Sequence, residues 1–292
     1  MKNKIVSPNE KQISRRITKN KLARGVFFTG TLFGMVVLAA LLIRIFTQGI
    51  GYLDFEFLTN FASRRPEDAG IKAAIMGTVW IMSITIPVSL ILGVGTSIYL
   101  EEYAPKNKLT RFIELNLANL AGVPSVVFGL LGLTVFVRLL EMGRSILAGG
   151  LTMSLLILPV IVVASKEAIR SIPQEQYEAA YAMGATKWQI IRTVVLPAAT
   201  PGILTGAILS LSRGVGETAS LLMIGAMTFI AYTPTGFLDG FTVLPIQIFS
   251  WASRPQAEFQ AVAAAGSIVL LIILIVMNSL AILIRNKYSK RY

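Results

Sequence analysis

The sequence predicts an all-α membrane protein with six transmembrane helices. Three observations support this fold class: a high apolar content, the grouping of the apolar residues into long runs, and an uneven distribution of Lys and Arg between the runs. Hydrophobic residues make up 54% of the 292-residue chain and charged residues only 14%, against about 25% charged residues in an average soluble domain. About 20 apolar residues of helix cross a hydrocarbon core, and a helix satisfies its own backbone hydrogen bonds there.

Six runs have the required length, and no soluble domain fits between them. They cover Val26–Phe46, Ala73–Leu100, Leu115–Leu140, Ile146–Ser165, Pro201–Ile230 and Val262–Ile284. We therefore predict a basic tail over 1–25 and one transmembrane domain over 26–292. A further apolar run, Phe241–Trp251, is too short to span, and it is expected to be interfacial or re-entrant.

The distribution of Lys and Arg predicts that both termini are cytoplasmic. Of the 27 such residues, 19 lie in the first, third and fifth polar segments (1–25, 101–114 and 166–200) and after the sixth run, whereas six lie in the alternate connections. Basic residues accumulate on the cytoplasmic side of membrane proteins. The net charge of +12 is therefore interpreted as a topology signal with some attraction to membrane lipid, not as a nucleic-acid site. The predicted location is the cytoplasmic (inner) membrane.

The residue types that are missing exclude several kinds of chemistry. The chain contains no Cys and no His, which excludes disulfides, zinc sites of the usual ligand types and histidine acid–base catalysis. We predict no catalytic residue and no metal site. The nucleotide-binding pattern G-x-x-x-x-G-K-[ST] is also absent, so a partner subunit would have to bind ATP and Mg²⁺ if the protein works by ATP.

The inward-facing segment 166–200 is predicted to contain a short helix. Pro173 suits a first helical turn, and good helix formers follow it. Aromatic residues and a glycine then recur on one helical face, at Tyr177, Tyr181, Gly184 and Trp188. The glycine can end the helix or leave room for the backbone of a partner. Such a face has to be covered, either by inner loops of the same chain or by another protein, and the residues alone leave both possibilities open.

The same segment resembles the signature E-A-A-x₃-G-x₉-I-x-L-P of ABC importer permeases. The matching residues are Glu178, Ala179, Ala180, Gly184 and the Leu196-Pro197 pair, with Val194 in place of the signature Ile. The resemblance implies a type I ABC importer permease fold, in which this loop forms a coupling helix that sits in a cleft of the ATPase subunit. It also implies that the first four of these residues dock the ATPase.

The fifth apolar run contains two charged residues, Arg213 and Glu217, which are four positions apart and are expected on one helical face. Arg near a helix centre costs about 2.5–3.5 kcal/mol on insertion scales, so it must face protein or a water-filled path. Small residues recur every four positions beside it, at Gly202, Gly206, Ser210 and Gly214, and they let another helix approach closely. Two interpretations stay open: an ion pair that locks helices together, or an anion site built on the guanidinium.

Three further strings resemble the phosphate importer permeases, and within them the PstA-type subunit. They are Arg213-Gly-Val-Gly-Glu-Thr-Ala219, Ala121-Gly-Val-Pro-Ser-Val-Val-Phe-Gly129, and Gly70-Ile71 through Gly77-Thr78. The resemblance implies that Arg213, Glu217 and Thr218 lie in the substrate path and that Arg170 is a secondary anion contact on the inner side. It further implies a second related permease, two copies of a cytoplasmic ATPase and an extracytoplasmic phosphate-binding protein as partners.

Three alternative functions follow from the same observations. An ion-coupled secondary carrier would need no ATPase and would show inverted repeats and coupling residues near the midplane. A permease of the same class for sulfate, molybdate or phosphonate would share the 166–200 segment and differ in its uptake profile. A membrane enzyme or receptor scaffold would need a carboxylate cluster or an appended domain, and the sequence contains neither.

Overall fold

The computed structural model describes residues 10–288, whose regular secondary structure is entirely helical, as predicted. The α-helices are α1 (Glu10–Gly49), α2 (Phe55–Thr59), α3 (Lys72–Ile98), α4 (Lys108–Leu120), α5 (Ser125–Gly132), α6 (Ile146–Arg170), α7 (Gln174–Ala182), α8 (Lys187–Ile190), α9 (Leu196–Val215), α10 (Ala219–Ile224), α11 (Leu244–Ala252) and α12 (Ala257–Tyr288). Tighter or wider helical turns continue four of them, at Ile50–Tyr52, Tyr99–Tyr103, Leu133–Leu139 and Ile191–Val195.

Five helical segments of the described chain are long and apolar enough to cross a membrane. They are Arg15–Tyr52, Lys72–Tyr103, Ile146–Arg170, Lys187–Val215 and Ala257–Lys287. A sixth crossing exists only if α4 and α5 count as one span. The predicted number of six spans therefore depends on this pair.

The predicted third span, Leu115–Leu140, is not one straight helix. The chain bends by 105° between α4 and α5, and Pro124 lies in the bend, directly before α5. Proline cannot donate to the carbonyl four residues before it and clashes with that carbonyl, which here belongs to Leu120, the last residue of α4. The apolar run was continuous, so hydropathy could not show the interruption.

The predicted fifth span, Pro201–Ile230, is also interrupted. Helix α9 ends at Val215, residues 216–218 are not helical, and α10 ends before Gly225, whose φ of +96° is left-handed. Glycine adopts this conformation without the steric cost that a Cβ brings. The apolar residues after Gly225 belong to the non-helical connection that leads to α11 and not to a span.

The basic segment that was predicted as a tail is partly helical, because α1 begins at Glu10 and continues without a break into the first apolar run. Most side chains of α1 are exposed within this chain. The helix comes close to α12 at Gly49, where a Cβ would lie 2.6 Å from the Ala265 nitrogen. Residues 1–9 of the predicted tail and 289–292 of the basic C-terminus lie outside the described residues.

Helix α6 is the central element of the bundle, and α9 packs on it through the predicted stripe of small residues. A Cβ at Gly202 would lie 2.7 Å from that of Ala168, and a Cβ at Gly206 would overlap that of Ala164. The expected close helix approach is thus confirmed, and the partner is the preceding span.

Helix α11 contains most of the short apolar run 241–251, and it is buried instead of interfacial. Leu244 and Trp251 are both fully buried, and Trp251 packs on Phe57 of α2 with ring centroids 5.9 Å apart. The Leu244 amide donates to the Thr78 hydroxyl at 3.0 Å, and a side chain at Gly77 would overlap the Thr242 carbonyl. The Gly77-Thr78 string therefore binds a segment that folds back into the bundle.

We expect the glycine stripe to be intolerant of even one methyl group. Gly206→Ala would force α9 away from α6, because the new Cβ meets the Cβ and backbone of Ala164 and not a flexible side chain. Overpacking of this kind costs about 1–3 kcal/mol, which should lower the melting temperature of the detergent-purified chain. Gly95→Ala is the matched control, since it adds a methyl group where no atom lies within 4 Å. Equal melting temperatures for the two variants would contradict the packing.

Candidate functional site

The candidate site lies where two interrupted helices meet. The interruption between α4 and α5 covers residues 121–124, and that between α9 and α10 covers residues 216–218. Helices α5 and α10 then pack together so closely that a Cβ at Gly129 would lie 2.6 Å from the Ser220 carbonyl oxygen. The Ala121–Gly129 and Arg213–Ala219 strings, which are far apart in the sequence, are therefore neighbours in the fold.

Arg213 lies near the end of α9, at the level of the middle of α6. Its neighbour Gly214 faces Ile157, where a Cβ would be 2.5 Å from the Ile157 Cδ1, and Ile157 is close to the midpoint of the 25-residue α6. The Arg213 side chain lines a shallow cleft with Val123 and Val160. If α6 spans the membrane, the guanidinium therefore belongs to the middle of the bilayer.

The Arg213 side chain is exposed on the surface of this chain, and within residues 10–288 no side chain forms a salt bridge or hydrogen bond with it. The guanidinium is thus available to something outside the chain.

Glu217 does not share a helical face with Arg213, because α9 ends at Val215. That expectation was wrong, and the described residues contain no ion pair between the two side chains. Glu217 is half-buried, and its Oε1 accepts a hydrogen bond from the Ser220 amide at 3.3 Å. Thr218 is the N-cap residue of α10. Glu217 and Thr218 therefore lie in the interruption, and Arg213 lies in the last turn of α9 directly before it.

The segment 166–200 contains the predicted short helix, α7, which begins directly after Pro173. It ends in the hydrogen-bond pattern of a Schellman motif: the Ala185 amide donates to the Ala180 carbonyl at 3.2 Å, and the Gly184 amide to the Tyr181 carbonyl at 2.9 Å. Gly184 has a φ of +78°, as this motif requires. Gly184 was considered either as a helix terminator or as room for a partner's backbone, and the structure shows that it terminates α7.

The four aromatic and glycine positions do not form one face, since α7 ends before Gly184 and Trp188 lies on α8. Tyr177 and Ala180 pack against the chain's own apolar cluster around Ile169. Met183 and Trp188, in contrast, are 88% and 58% exposed. One side of the segment is therefore covered by the same chain, and the other is open for another protein.

The four predicted docking residues lie mostly on the open side. Glu178, Ala179 and Gly184 are exposed, and Ala180 is half-buried. Arg170, the predicted secondary anion contact, is engaged within the chain: its Nη2 lies 2.8 Å from Glu101 and its Nη1 3.7 Å from Glu167. Two carboxylates thus already balance its charge.

Sequence reasoning missed the acidic pair Glu101-Glu102 in the turn that ends α3. Glu101 approaches Arg170 and Lys166, and Glu102 accepts a hydrogen bond from Tyr177. The available signal was two adjacent acids in an otherwise basic inner connection. Among the residues that the structure describes, no group of three His, Cys, Asp or Glu side chains could hold a metal ion.

Comparison with known families and sequences gives consistent matches. The model of the family described as "binding-protein-dependent transport system inner membrane component" matches residues 89–290. The "probable ABC transporter permease protein YqgI" of Bacillus subtilis (strain 168) is 34% identical over 278 residues, which are 91% of this chain and 94% of the relative. The "phosphate transport system permease protein PstA" of Yersinia pestis is 32% identical and covers 94% of this chain and 92% of its own length. A PstA 1 protein of Mycobacterium tuberculosis (strain ATCC 25618 / H37Rv) is also 32% identical, over 95% of this chain and 91% of the relative.

Solved structures with a similar fold are permease-containing transporters. One chain of a bacterial alginate ABC transporter in complex with its alginate-bound periplasmic protein superposes with a TM-score of 0.66 at 16% identity, over 91% of this chain and 94% of that one. A chain of the inward-facing MetNI methionine ABC transporter superposes with a TM-score of 0.59 at 19% identity, over 73% of this chain and 94% of that one. At these identities the likeness shows the fold alone.

We expect the end of α7 to depend on the left-handed backbone of Gly184. Gly184→Ala adds a Cβ at a φ where L-residues cost about 1–2 kcal/mol, which should weaken the Schellman hydrogen bonds and accelerate amide hydrogen exchange across residues 178–186 several-fold. Gly184→Asn is the matched control, because Asn tolerates this conformation better. If the Ala and Asn variants exchanged at the same rate as the original chain, the assignment of Gly184 as a helix terminator would be refuted.

Proposed function

The chain belongs to the binding-protein-dependent transport system inner membrane component family, and we propose that it is the permease subunit of an ATP-driven importer of inorganic phosphate. Membership makes it an ABC importer permease, a transport subunit and not an enzyme. Phosphate is supported by two kinds of observation. Relatives that align over more than nine-tenths of this chain are described as phosphate transport system permeases, and two of the three strings that resemble phosphate permeases are neighbours in the fold, with Val123 and Arg213 lining one cleft.

The exposed Arg213 guanidinium at mid-depth is the observation that carries the proposal. A charged side chain there costs too much to face hydrocarbon, so this surface must face another subunit or an aqueous path. A guanidinium presents donors in a planar fork that matches the oxygens of phosphate or sulfate. Both interruptions lie beside it, and non-helical backbone at membrane depth is tolerated where it lines a cavity or contacts protein.

The proposed complex contains a second, related permease that covers the Arg213 surface and completes the anion path. Two copies of a cytoplasmic ATPase bind ATP and Mg²⁺, and each permease offers one of them its coupling helix, which in this chain is α7. An extracytoplasmic phosphate-binding protein delivers the anion. This last partner agrees with the description of the family as binding-protein-dependent.

In the proposed cycle, ATP binding closes the paired ATPases and displaces α7 of each permease. Because α7 lies between α6 and α9 in the chain, its displacement moves the two helices that hold the glycine contact. The permease pair then alternates between outward and inward openings. Arg213 complements the charge of the passing anion and releases it when the opening changes.

Glu217 is proposed to discriminate phosphate from sulfate. At neutral pH phosphate retains a hydroxyl group, which can donate a hydrogen bond or a proton to a carboxylate. Sulfate has no such group. Glu217 lies four residues after Arg213, in the interruption, and its anchoring to Ser220 holds it beside the path. A permease for another oxyanion remains the alternative, and the uptake profile decides between the two.

Arg213→Gln should abolish phosphate uptake in cells that lack the original chain, because the path loses its complementary charge. The permease should still insert and co-purify with its ATPase, since Arg213 has no partner within the described chain. Arg44→Gln is a matched control: it removes another exposed arginine from an apolar run and should leave uptake unchanged. Loss of assembly in the Arg213 variant would instead indicate that this arginine joins helices together.

Glu217→Gln should leave the protein in the membrane and reduce phosphate uptake several-fold. Glutamine keeps an oxygen that can accept from the Ser220 amide, so the change removes charge with little effect on structure. Glu67→Gln, in an exposed outer loop, serves as the control. Uptake of radiolabelled phosphate and sulfate by both variants tests the role. Unchanged phosphate uptake together with unchanged exclusion of sulfate would refute it.

A further inference from the structure

Two adjacent glutamates connect the inner ends of four helical segments. Glu101 and Glu102 lie in the Tyr99–Tyr103 turn that ends α3. Glu101 points to α6, where its Oε1 is 2.8 Å from the Arg170 Nη2 and 3.6 Å from the Lys166 Nζ. Lys166 also reaches Glu114 of α4 at 2.8 Å. Glu101 thereby connects α3 to α6, and Lys166 connects α6 to α4.

Glu102 connects the same turn to the coupling segment, by which we mean α7 and α8 with the turn between them. The Tyr177 hydroxyl of α7 donates a hydrogen bond to the Glu102 Oε1 at 2.8 Å. The Lys187 Nζ of α8 donates to the Glu102 main-chain carbonyl and lies 4.9 Å from the centroid of the Tyr103 ring. Both the helix before Gly184 and the helix after it are therefore held to the end of α3.

The Tyr177 contact is directional and persists across physiological pH. Burial, followed by the hydrogen bond and the negative charge of Glu102, raises the pKa of the Tyr177 phenol above its ordinary value of 10.0. A raised pKa keeps the group protonated, so it remains a donor at neutral pH. The ring itself packs against the apolar cluster that contains Ile169 and Ile190, which fixes its orientation.

The position of Tyr177 places its contact with Glu102 beside the residues that are proposed to dock the ATPase. Tyr177 directly precedes Glu178 and Ala179, which face solvent and are the proposed docking residues. No short covalent path joins α7 to α3, since their sequences are about 70 residues apart. A displacement of α7 therefore has two routes to α3. One is direct, through the Tyr177–Glu102 contact. The other passes through α6, which precedes α7 in the chain and packs along α3, where Gly93 lies against Ile161 and Gly150 against Ile84.

We propose that Glu102 is a positioning residue that holds the coupling helix through Tyr177 and transmits its displacement to α3. In the absence of this contact, α7 still carries its docking residues and still ends at Gly184, but it moves relative to α3. ATP hydrolysis then continues with less transport per ATP. The inference rests on the proposed function for its transport consequence and on geometry alone for the positioning.

The test compares Tyr177→Phe with Tyr181→Phe. Each variant removes one hydroxyl from α7, but Tyr181 is 52% exposed and its hydroxyl has no hydrogen-bond partner among the described residues. The first readout is amide hydrogen exchange over residues 174–182 of the detergent-purified chain with its co-purifying subunits. Tyr177→Phe should accelerate exchange several-fold and Tyr181→Phe should not. Equal exchange in the two variants would overturn the positioning role.

The second readout is the number of phosphate ions transported per ATP hydrolysed by the complex in proteoliposomes. Tyr177→Phe should lower this ratio several-fold while the ATPase still co-purifies, and Tyr181→Phe should leave it unchanged. If exchange accelerates but the ratio stays the same, transmission to α3 is overturned. If the original complex shows no ATP-dependent uptake, the proposed function fails, and the exchange experiment still tests the contact by itself.

Variants at the acceptor make the test specific to the pair. Glu102→Gln keeps an oxygen acceptor and should retain most of the transport ratio, whereas Glu102→Ala should match Tyr177→Phe. The carbonyl that accepts from Lys187 is main-chain, so the Ala variant leaves that acceptor in place. The double variant Tyr177→Phe with Glu102→Ala should be no worse than either single change. Additive losses would show that the two residues act independently and would overturn the proposal.

Discussion

The contact between α9 and α6 is the interaction on which the rest of the structure depends. Residues without bulky side chains, at Gly202, Gly206 and Gly214, let α9 approach Ala168, Ala164 and Ile157 closely. In lipid, where apolar burial between helices brings little gain, such close packing is what drives helices together. The contact sets the depth of Arg213, and it places both ends of the coupling segment at the same end of the bundle.

The candidate site shows how this packing and two helix interruptions create a polar region inside an apolar bundle. Close approach at Gly129 and Ser220 brings the two interruptions together. Each interruption frees backbone groups that hydrocarbon cannot satisfy, and Arg213 adds a charge that it cannot solvate. The three features have one common solution, which is a water-filled or protein-covered path along this surface.

At the end of the bundle that carries α7, ion pairs and hydrogen bonds connect the helices where small-residue packing connects α9 to α6. Glu101 contacts Lys166 and Arg170, and Glu102 contacts Tyr177 and Lys187. All four of these partners are distant from the two glutamates in the sequence. The Lys166 and Glu101 side chains are only 13% and 17% exposed, and at such partly buried positions the cost of desolvation offsets much of the attraction between the charges. Their value here is geometric, because the side chains of this network define the position of α7 relative to α3 and α6.

The sequence by itself determined the fold class, the family, the short helix in the segment 166–200 and the small-residue stripe. These features depend on local composition and on fixed spacings along one chain segment, such as Glu178 to Gly184 or Gly202 to Gly214. It also located Arg213, because charged residues within an apolar run are conspicuous. Tertiary structure decided where the predicted third and fifth spans break, that Glu217 lies outside the helix that carries Arg213, and that Phe241–Trp251 is buried. The physical reason is that hydropathy measures only the transfer of a segment into lipid. A helix break, the burial of a segment or a polar contact between side chains depends instead on which distant segment supplies the contact. Ser220 supplies it for Gly129, and Tyr177 supplies it for Glu102.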